Sequence, residues 1–477
     1  MKYLYGASVQ GIQSFIFESN ELSEIAGASE IVENICTLAF KKFIDIDDNN
    51  IIVAAAGNIR ILADDKKTLE QLVLKFPKYV REQAPGITIS QAVIEINNDL
   101  EKDDFIKLEK LLKIQRNKPT RPAFVSGTGI ERSRKTGKPA VCRYKNELQD
   151  LSSKLKKEKS SSRKHSNLER KIVDHIQNVS FPYDHSEIVN KNITGWLAVI
   201  HADGNDLGKT IQTLQTEKGV KETFRSFSKK IEASTLKAAQ IAFKKHIEPD
   251  KYYKKYYPFR PVIIGGDDLT VICRADLAIP FTKSFLENFE AETCKHFDFK
   301  ITSCAGIAFV KEKYPFHYAV HLAEQLCAHA KKISKQKSTE NELDYVVPSM
   351  MFHKITSSFV DSFQDIQQRE LTAKASDVSF CYGPYSIQET SCVLPSVVQL
   401  YSSINDCNKD EFPVSGIRKW LSLLHSNGDA ANQLWDRLLQ IHPHYHQELN
   451  QLFYDRSKKT IAYDVLSILS LTRGGNE

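Results

Sequence analysis

Two adjacent aspartates, Asp267 and Asp268, follow two glycines in the stretch Pro261-Val262-Ile263-Ile264-Gly265-Gly266-Asp267-Asp268-Leu269-Thr270-Val271-Ile272-Cys273. An apolar, β-branched run enters this polar tip and a second one leaves it, which predicts a buried hairpin. Glycines let the backbone bend and let a ligand come close. Neighbouring carboxylates repel each other, so a cation or water must answer their charge. A divalent metal with a bound phosphate gives that answer; a solvent-facing turn, where Gly and Asp are common, is the alternative. A third carboxylate, Asp203, ends another apolar run, Gly195-Trp196-Leu197-Ala198-Val199-Ile200-His201-Ala202-Asp203. Nucleotidyl transfer by two metals needs carboxylates from neighbouring strands around ions about 3.5–4 Å apart. Asp203, Asp267 and Asp268 meet that need if their strands are neighbours, and are the candidate catalytic and metal-binding residues. The turn Gly204-Asn205-Asp206-Leu207 precedes a helix, so its N–H groups, with those of Gly265 and Gly266, are candidates to cradle phosphate oxygens. Asp206 reads as a further ligand or an N-cap, and the cap is favoured. Lys331, Lys332 and Lys335 reach the phosphates in one reading and end a helix as ordinary cations in the other.

The elements that must hold these residues occur twice. The first set runs as a strand from Lys2 to Ser8, a broken helical period from Gln10 to Ile35, a hairpin from Ile51 to Leu62, a helix over 67–83, a strand over 87–96 and a helix over 100–115. This βαββαβ-like order predicts a ferredoxin-like α+β sandwich. The second set has a strand from Gly195, a helix over 218–246, the Gly-Gly-Asp-Asp hairpin, a helix over 278–297, a strand over 300–309 and a helix over 317–335. Laid over each other, Ala7-Ser8 falls on Ala202-Asp203, and Ala56-Gly57-Asn58-Ile59 on Gly265-Gly266-Asp267-Asp268. The first copy therefore carries Ser8, Asn58 and Ile59 where the second carries carboxylates. One copy is expected to do chemistry and the other to be scaffold.

The chain has 477 residues, enough for two to four domains of roughly 100–200 residues. The expected units are a degenerate ferredoxin-like copy over 1–115, a basic insertion over 116–190, the carboxylate-bearing catalytic copy over 191–342 and a helical C-terminal domain over 343–477. No apolar run suits a membrane span, and the N-terminus lacks the pattern of a signal peptide. Nine cysteines form no C-x-x-C pair, which argues against a zinc ribbon or a disulfide framework and fits a cytoplasmic location. A net charge of +6 permits a nucleotide or nucleic-acid partner without requiring one. Between 116 and 180, Arg121-Pro122 and the cluster 126–129 mark loop. Arg132 to Lys138 and Lys154 to Lys164 are basic, and composition predicts a solvated, partly disordered insertion there. The alternative is an electrostatic patch for RNA or polyphosphate, with only Phe124 and Tyr144 available for stacking. His442, His444 and His446 have strand-like ligand spacing but sit at a helix boundary beside Pro443, and no metal is expected.

Gly265-Gly266-Asp267-Asp268 and Asp203-Gly204-Asn205-Asp206-Leu207-Gly208, preceded by a degenerate palm, resemble the polymerase/cyclase large subunit of type III CRISPR effector complexes. The opening Gly6-Ala7-Ser8-Val9-Gln10-Gly11-Ile12-Gln13-Ser14-Phe15-Ile16-Phe17, with Ala28-Ser29-Glu30-Ile31-Val32, resembles that family's first palm. The resemblance implies two palms side by side. It also implies conversion of ATP by two Mg²⁺ or Mn²⁺ ions into 3′–5′ linked, usually cyclic, oligoadenylate messengers of antiviral defence. RAMP-type protein subunits and guide or target RNA are the implied partners. The chain opens at the palm and has no His-Asp dipeptide, so the HD nuclease of many relatives is not expected. Thr136-Gly137-Lys138-Pro139-Ala140 matches an element of the family's zinc knuckle, yet only Cys142 lies near, so zinc is not expected either. A non-catalytic assembly subunit that contacts RNA is the competing function. A diguanylate-cyclase-like enzyme is more remote, since its hairpin signature ends in Glu-Phe where this chain has Asp268-Leu269.

Overall fold

The computed structural model describes residues 2–472 except 56, 97–98, 119–128, 162–165, 174–178, 215–218, 251–254, 358–361 and 389–392. Its first sheet is built from β1 (Lys2–Gln10), β2 (Ile51–Ala55), β3 (Asn58–Ala63) and β4 (Thr88–Ile96), in the order β2-β3-β1-β4. Between them run α1 (Ile12–Ile16), α2 (Leu22–Thr37) and α3 (Lys66–Gln83), and α4 (Lys102–Arg116) follows. This is the ferredoxin-like order that the βαββαβ pattern predicts. Strand alternation divides the faces. Tyr5, Ala7, Ile59 and Ile61 enter the large core with Ile25, Leu72 and Phe76 of the crossover helices. Leu4 and Leu62 instead join Leu108 and Leu112 of α4 in a smaller cluster. Gly6 admits α4, because a Cβ there would lie 2.7 Å from Leu108.

An insertion follows, with a hairpin of β5 (Ala140–Tyr144) and β6 (Glu147–Asp150), then α5 (Leu151–Ser161) and α6 (Asn167–Ile172). Much of 129–147 is exposed, as composition predicts, but α5 and several of the lysines pack on the first palm. Lys156 is fully buried, with its Nζ 3.0 Å from Glu18 and 4.2 Å from the centre of the Phe15 ring. Lys157 lies 2.9 Å from Glu21 and 3.2 Å from Glu24. Lys135 and Lys138 pair with Glu21 and Glu18. The backbones of α5 and α2 touch at Gly27, where a Cβ would sit 1.9 Å from the Lys156 carbonyl oxygen. The lysine run thus answers an acidic patch more than a hundred residues earlier in the chain, a match that local composition cannot reveal. Arg121, Pro122, Phe124, Ser126–Thr128 and Ser162–Lys164, which the sequence reading uses, lie outside the described residues.

The second palm comprises β7 (Trp196–Gly204), α7 (Leu207–Thr213), α8 (Val220–His246), β8 (Phe259–Gly265), β9 (Asp268–Arg274), α9 (Ala275–Cys294), β10 (Ser303–Lys311) and α10 (Phe316–Glu340). Its strands run β8-β9-β7-β10, the order of the first sheet again. Two features differ from the sequence reading. First, the stretch beyond Leu343 is not wholly helical: β11 (Ser349–Lys354) adds to β10 in parallel, and the short β14 (Tyr385–Ser386) adds to β11, making six strands. Ser349-Met350-Met351-Phe352 is a short buried run, which periodicity alone does not separate from helix. Second, the repeat aligns one residue away from the sequence overlay. Gly265 faces Asp268 and Ala55 faces Asn58, so Asn58 is the counterpart of Asp268, and Gly57 of Asp267.

The remaining elements are α11 (Phe363–Arg369), a small ribbon of β12 (Thr372–Ala373) and β13 (Val378–Ser379), and a helical tail. The tail consists of α12 (Val397–Cys407), α13 (Val414–Ser426), α14 (Gly428–Ile441), α15 (His446–Leu452) and α16 (Ala462–Thr472). The Trp420 and Trp435 rings pack together within it, centroids 4.3 Å apart and tilted by 46°. No helix among the described residues is long and apolar enough to cross a membrane.

Candidate metal and nucleotide site

The antiparallel ladder of β7 and β9 pairs His201 with Thr270 and Ala202 with Leu269. One step further, Asp203 arrives beside Asp268 at the mouth of the Gly-Gly-Asp-Asp turn. One carboxylate oxygen from each of Asp203, Asp267 and Asp268 lies within 4.8 Å of the other two. Among the described residues no other group of three His, Cys, Asp or Glu side chains is so placed. His442 between α14 and a 3₁₀ turn, His444 on that turn and His446 at the start of α15 form no such group.

The turn is shaped to let these oxygens meet. Gly266 has φ of 62°, a left-handed value that suits glycine. Its carbonyl accepts a 2.8 Å hydrogen bond from Thr235 on α8, which pins the hairpin tip to the helix behind it. Gly204 provides the space opposite, since a Cβ there would lie 3.0 Å from the Asp267 carboxylate. Gly265 closes the ladder against Asp268. His201 is two residues before Asp203, on the same face of β7. It is buried with Nδ1 3.1 Å from Thr270, and burial lowers its pKa to about 4, so it lines the floor as a neutral ring.

Three carboxylates this close do not share their charge equally. Burial, then Asp203, pushes Asp267 up to about 7. Burial and the two neighbouring aspartates push Asp268 well above the usual carboxylate range. Burial also acts upward on Asp203, but the charge and hydrogen bond of Lys331 outweigh it and hold that carboxyl below its ordinary value. Lys331 contacts Asp203 directly and donates to the Gly204 carbonyl at 2.7 Å. Two carboxyls held up by burial and mutual repulsion form a site whose anionic state needs a cation. Hard oxygen donors from three side chains suit Mg²⁺ or Mn²⁺.

The other residues from the sequence reading fall into two groups. Lys331 and Lys335 do reach the site, but from the middle of α10, which runs on to Glu340; they are not the cations of a helix end. Lys335 pairs with Asp206 at 2.6 Å. Asp206 occupies the N-cap position of α7 with φ of 52°, yet its side chain makes no capping bond, because Lys335 holds it. Asn205 is buried, and its side-chain amide donates to Thr302 at 2.9 Å, so it ties the end of β7 to the start of β10. Leu207 packs on the core beneath the turn. Thr235 and His201 were missed by the sequence reading. The two-residue period of β7 marks His201; nothing local marks Thr235.

The first palm shows the same frame without the carboxylates. Ser8 pairs with Asn58, and Arg116 at the end of α4 approaches Ser8 to 3.3 Å, as Lys331 on α10 approaches Asp203. Arg60 is buried there and donates to the Ala7 carbonyl at 2.7 Å. A cation persists in the copy that has lost its acids.

Residues 196–340 match the family model of the Cas10/Cmr2 second palm domain. The whole fold is similar to solved Csm1–Csm4 cassettes. The cassette in complex with pppApA aligns at TM-score 0.57 and 13% identity, covering 99% of this chain and 69% of that one. The cassette in complex with cA3 aligns at TM-score 0.56 and 12% identity with the same coverage. The cassette with pppApApA aligns at 0.53 and 12%, again over 99% and 69%. A search of the curated proteins finds no match.

Proposed function

We propose that this chain, a Cas10-like large subunit with a Cas10/Cmr2-type second palm, is a metal-dependent nucleotidyltransferase. In this reading it makes oligoadenylates, linear or cyclic, from ATP as antiviral second messengers. The single observation that carries the reading is the meeting of Asp203, Asp267 and Asp268 in one palm, with Ser8, Gly57 and Asn58 at the same places in the other. The matched Csm1–Csm4 structures hold pppApA and cA3, which supports adenylate chemistry and a RAMP-type partner subunit; guide and target RNA belong to the same proposal.

Asp203, Asp267 and Asp268 would hold two Mg²⁺ or Mn²⁺ ions, which when bound acidify the attacking 3′-hydroxyl and neutralise the leaving pyrophosphate. In the transfer, the 3′-oxygen bonds to the α-phosphorus of a second ATP, the bond to pyrophosphate breaks, and the hydroxyl proton leaves to solvent. Gly204 and Gly266 keep the approach to the carboxylates open. Lys331, released from Asp203 when the carboxylate finds another cation, is placed to meet phosphate oxygens, and Lys335 stands one turn further along the same helix.

The test incubates the protein with ATP, GTP or both and Mn²⁺, alone and with its partner subunits and target RNA, followed by mass analysis. Oligoadenylate that disappears in the Asp267→Ala/Asp268→Ala variant is expected. Products from GTP alone would favour the diguanylate-cyclase-like reading. No product under any condition, with salt-sensitive RNA binding intact in the variant, would favour the assembly reading. That last reading leans on the basic insertion, several of whose lysines already pair with Glu18, Glu21 and Glu24.

A further inference from the structure

A cavity of about 190 Å³ opens where the first palm, the insertion and the second palm meet, and none of the three clustered aspartates lines it. Ala26, Gly27 and Glu30 of α2 form one wall. Lys159 of α5, with Ser166 and Arg170 at α6, forms the second, and Tyr183 and Arg260 close the third. Arg260 is the unusual member. It sits on β8, only 2% exposed, five residues before Gly265. Its Nη1 pairs with the buried Glu169 at 2.6 Å, and its guanidinium lies 4.7 Å from the centre of the Tyr183 ring. Its Nε is buried and has no hydrogen-bond partner. A buried donor left unanswered is costly, and a guanidinium N–H is answered best by an anionic oxygen.

The charges on the wall point the same way. Glu169 balances Arg260. Glu30 accepts from the Asn167 backbone and amide at 2.9 Å each and feels the charge of Lys159. That leaves Arg170, exposed at the mouth, as the cation in excess. The Ser166 hydroxyl oxygen accepts from the Glu169 N–H at 3.2 Å, which leaves its own proton to donate. Several donors around a small polar cavity suit a tetrahedral oxyanion better than a planar carboxylate.

We infer that this cavity binds a phosphate-bearing anion, with Arg260 and Arg170 as its principal donors. The site is separate from the carboxylate cluster. Occupancy would tie α5 and α6 to β8, the strand that ends in the Gly-Gly-Asp-Asp turn. The phosphate comes either as a free ion or as the tail of a nucleotide, and the experiment separates the two.

The full chain is titrated calorimetrically, in phosphate-free and sulfate-free buffer containing EDTA, with inorganic phosphate, pyrophosphate, ATP and, as a control, acetate. One saturable site for at least one phosphate-bearing probe is expected, with pyrophosphate and ATP ranking above inorganic phosphate only if the tail of a nucleotide is the natural ligand. Arg170→Gln, on an exposed helix position that the fold does not need, should weaken binding by about tenfold or more. Asp268→Ala should leave it unchanged. Absence of saturable binding, binding unchanged in Arg170→Gln, equal binding of acetate, or loss of binding in Asp268→Ala would each overturn the assignment.

Discussion

Lys331 neutralises Asp203 and so places a cation at the cluster. A metal ion must compete with that ammonium, whereas a triphosphate gains from its release. Lys331→Met is therefore expected to bind Mn²⁺ several-fold more tightly while ATP binding weakens by about tenfold, both read by calorimetry; a matching loss of both would contradict this role. Gly204→Ala would bring a Cβ to 3.0 Å from the Asp267 carboxylate and 2.7 Å from Leu207. The carboxylate must shift, and Mn²⁺ affinity should fall by about tenfold while overpacking lowers stability by about 1–3 kcal/mol. At this scale the acids were legible because charge at an apolar hairpin tip is conspicuous, and Lys331 because it follows the last strand of the repeat. Asn205 shows the limit: its backbone N–H is a candidate to cradle phosphate in the sequence, but in the fold that N–H donates to the Thr302 carbonyl and its side-chain amide to the Thr302 hydroxyl, each at 2.9 Å, a pairing across 97 residues that no residue type announces.

Among elements, the repeated βαββαβ order was readable from period and spacing, since both palms alternate between apolar-rich strands and helices with an apolar stripe. The one-residue offset in the hairpin overlay was not, because Gly-Asn and Gly-Asp pairs fit a turn in either register and only the ladder decides. The junction of β14 with α16 offers a pH test. Tyr385 donates to the buried Asp464 at 2.6 Å, and burial pushes that carboxyl up to about 7. The native chain keeps a proton there that the unfolded chain, with a pKa near ~3.9, gives up. Stability from this group is present at low pH and falls as pH rises from about 4 to about 7, by at most ~1.4 kcal/mol per unit. Asp464→Asn should flatten the melting-temperature profile over that window relative to wild type. Parallel profiles would show that the carboxyl ionises freely in the fold.

For the molecule as a whole, the insertion is a clamp. Its lysines grip Glu18, Glu21 and Glu24 on the first palm, and Glu169 on α6 grips Arg260 on the second. Glu18→Ala leaves Lys156 buried beside Phe15 without its nearest carboxylate, at an expected cost of about 3 kcal/mol. Hydrogen exchange should rise first in α5, and Glu18→Ala/Lys156→Met should recover much of the loss; uniform destabilisation without recovery would argue against the clamp. This arrangement joins the palm that lacks the aspartate cluster to the one that carries it. Product formation by the three aspartates is the decisive property. Purified wild type and the Asp267→Ala/Asp268→Ala variant, each supplied with ATP, Mn²⁺, partner subunits and target RNA, should differ in one respect: 3′–5′ linked oligoadenylates in the first and none in the second. Equal product in both, or none in either, would contradict it.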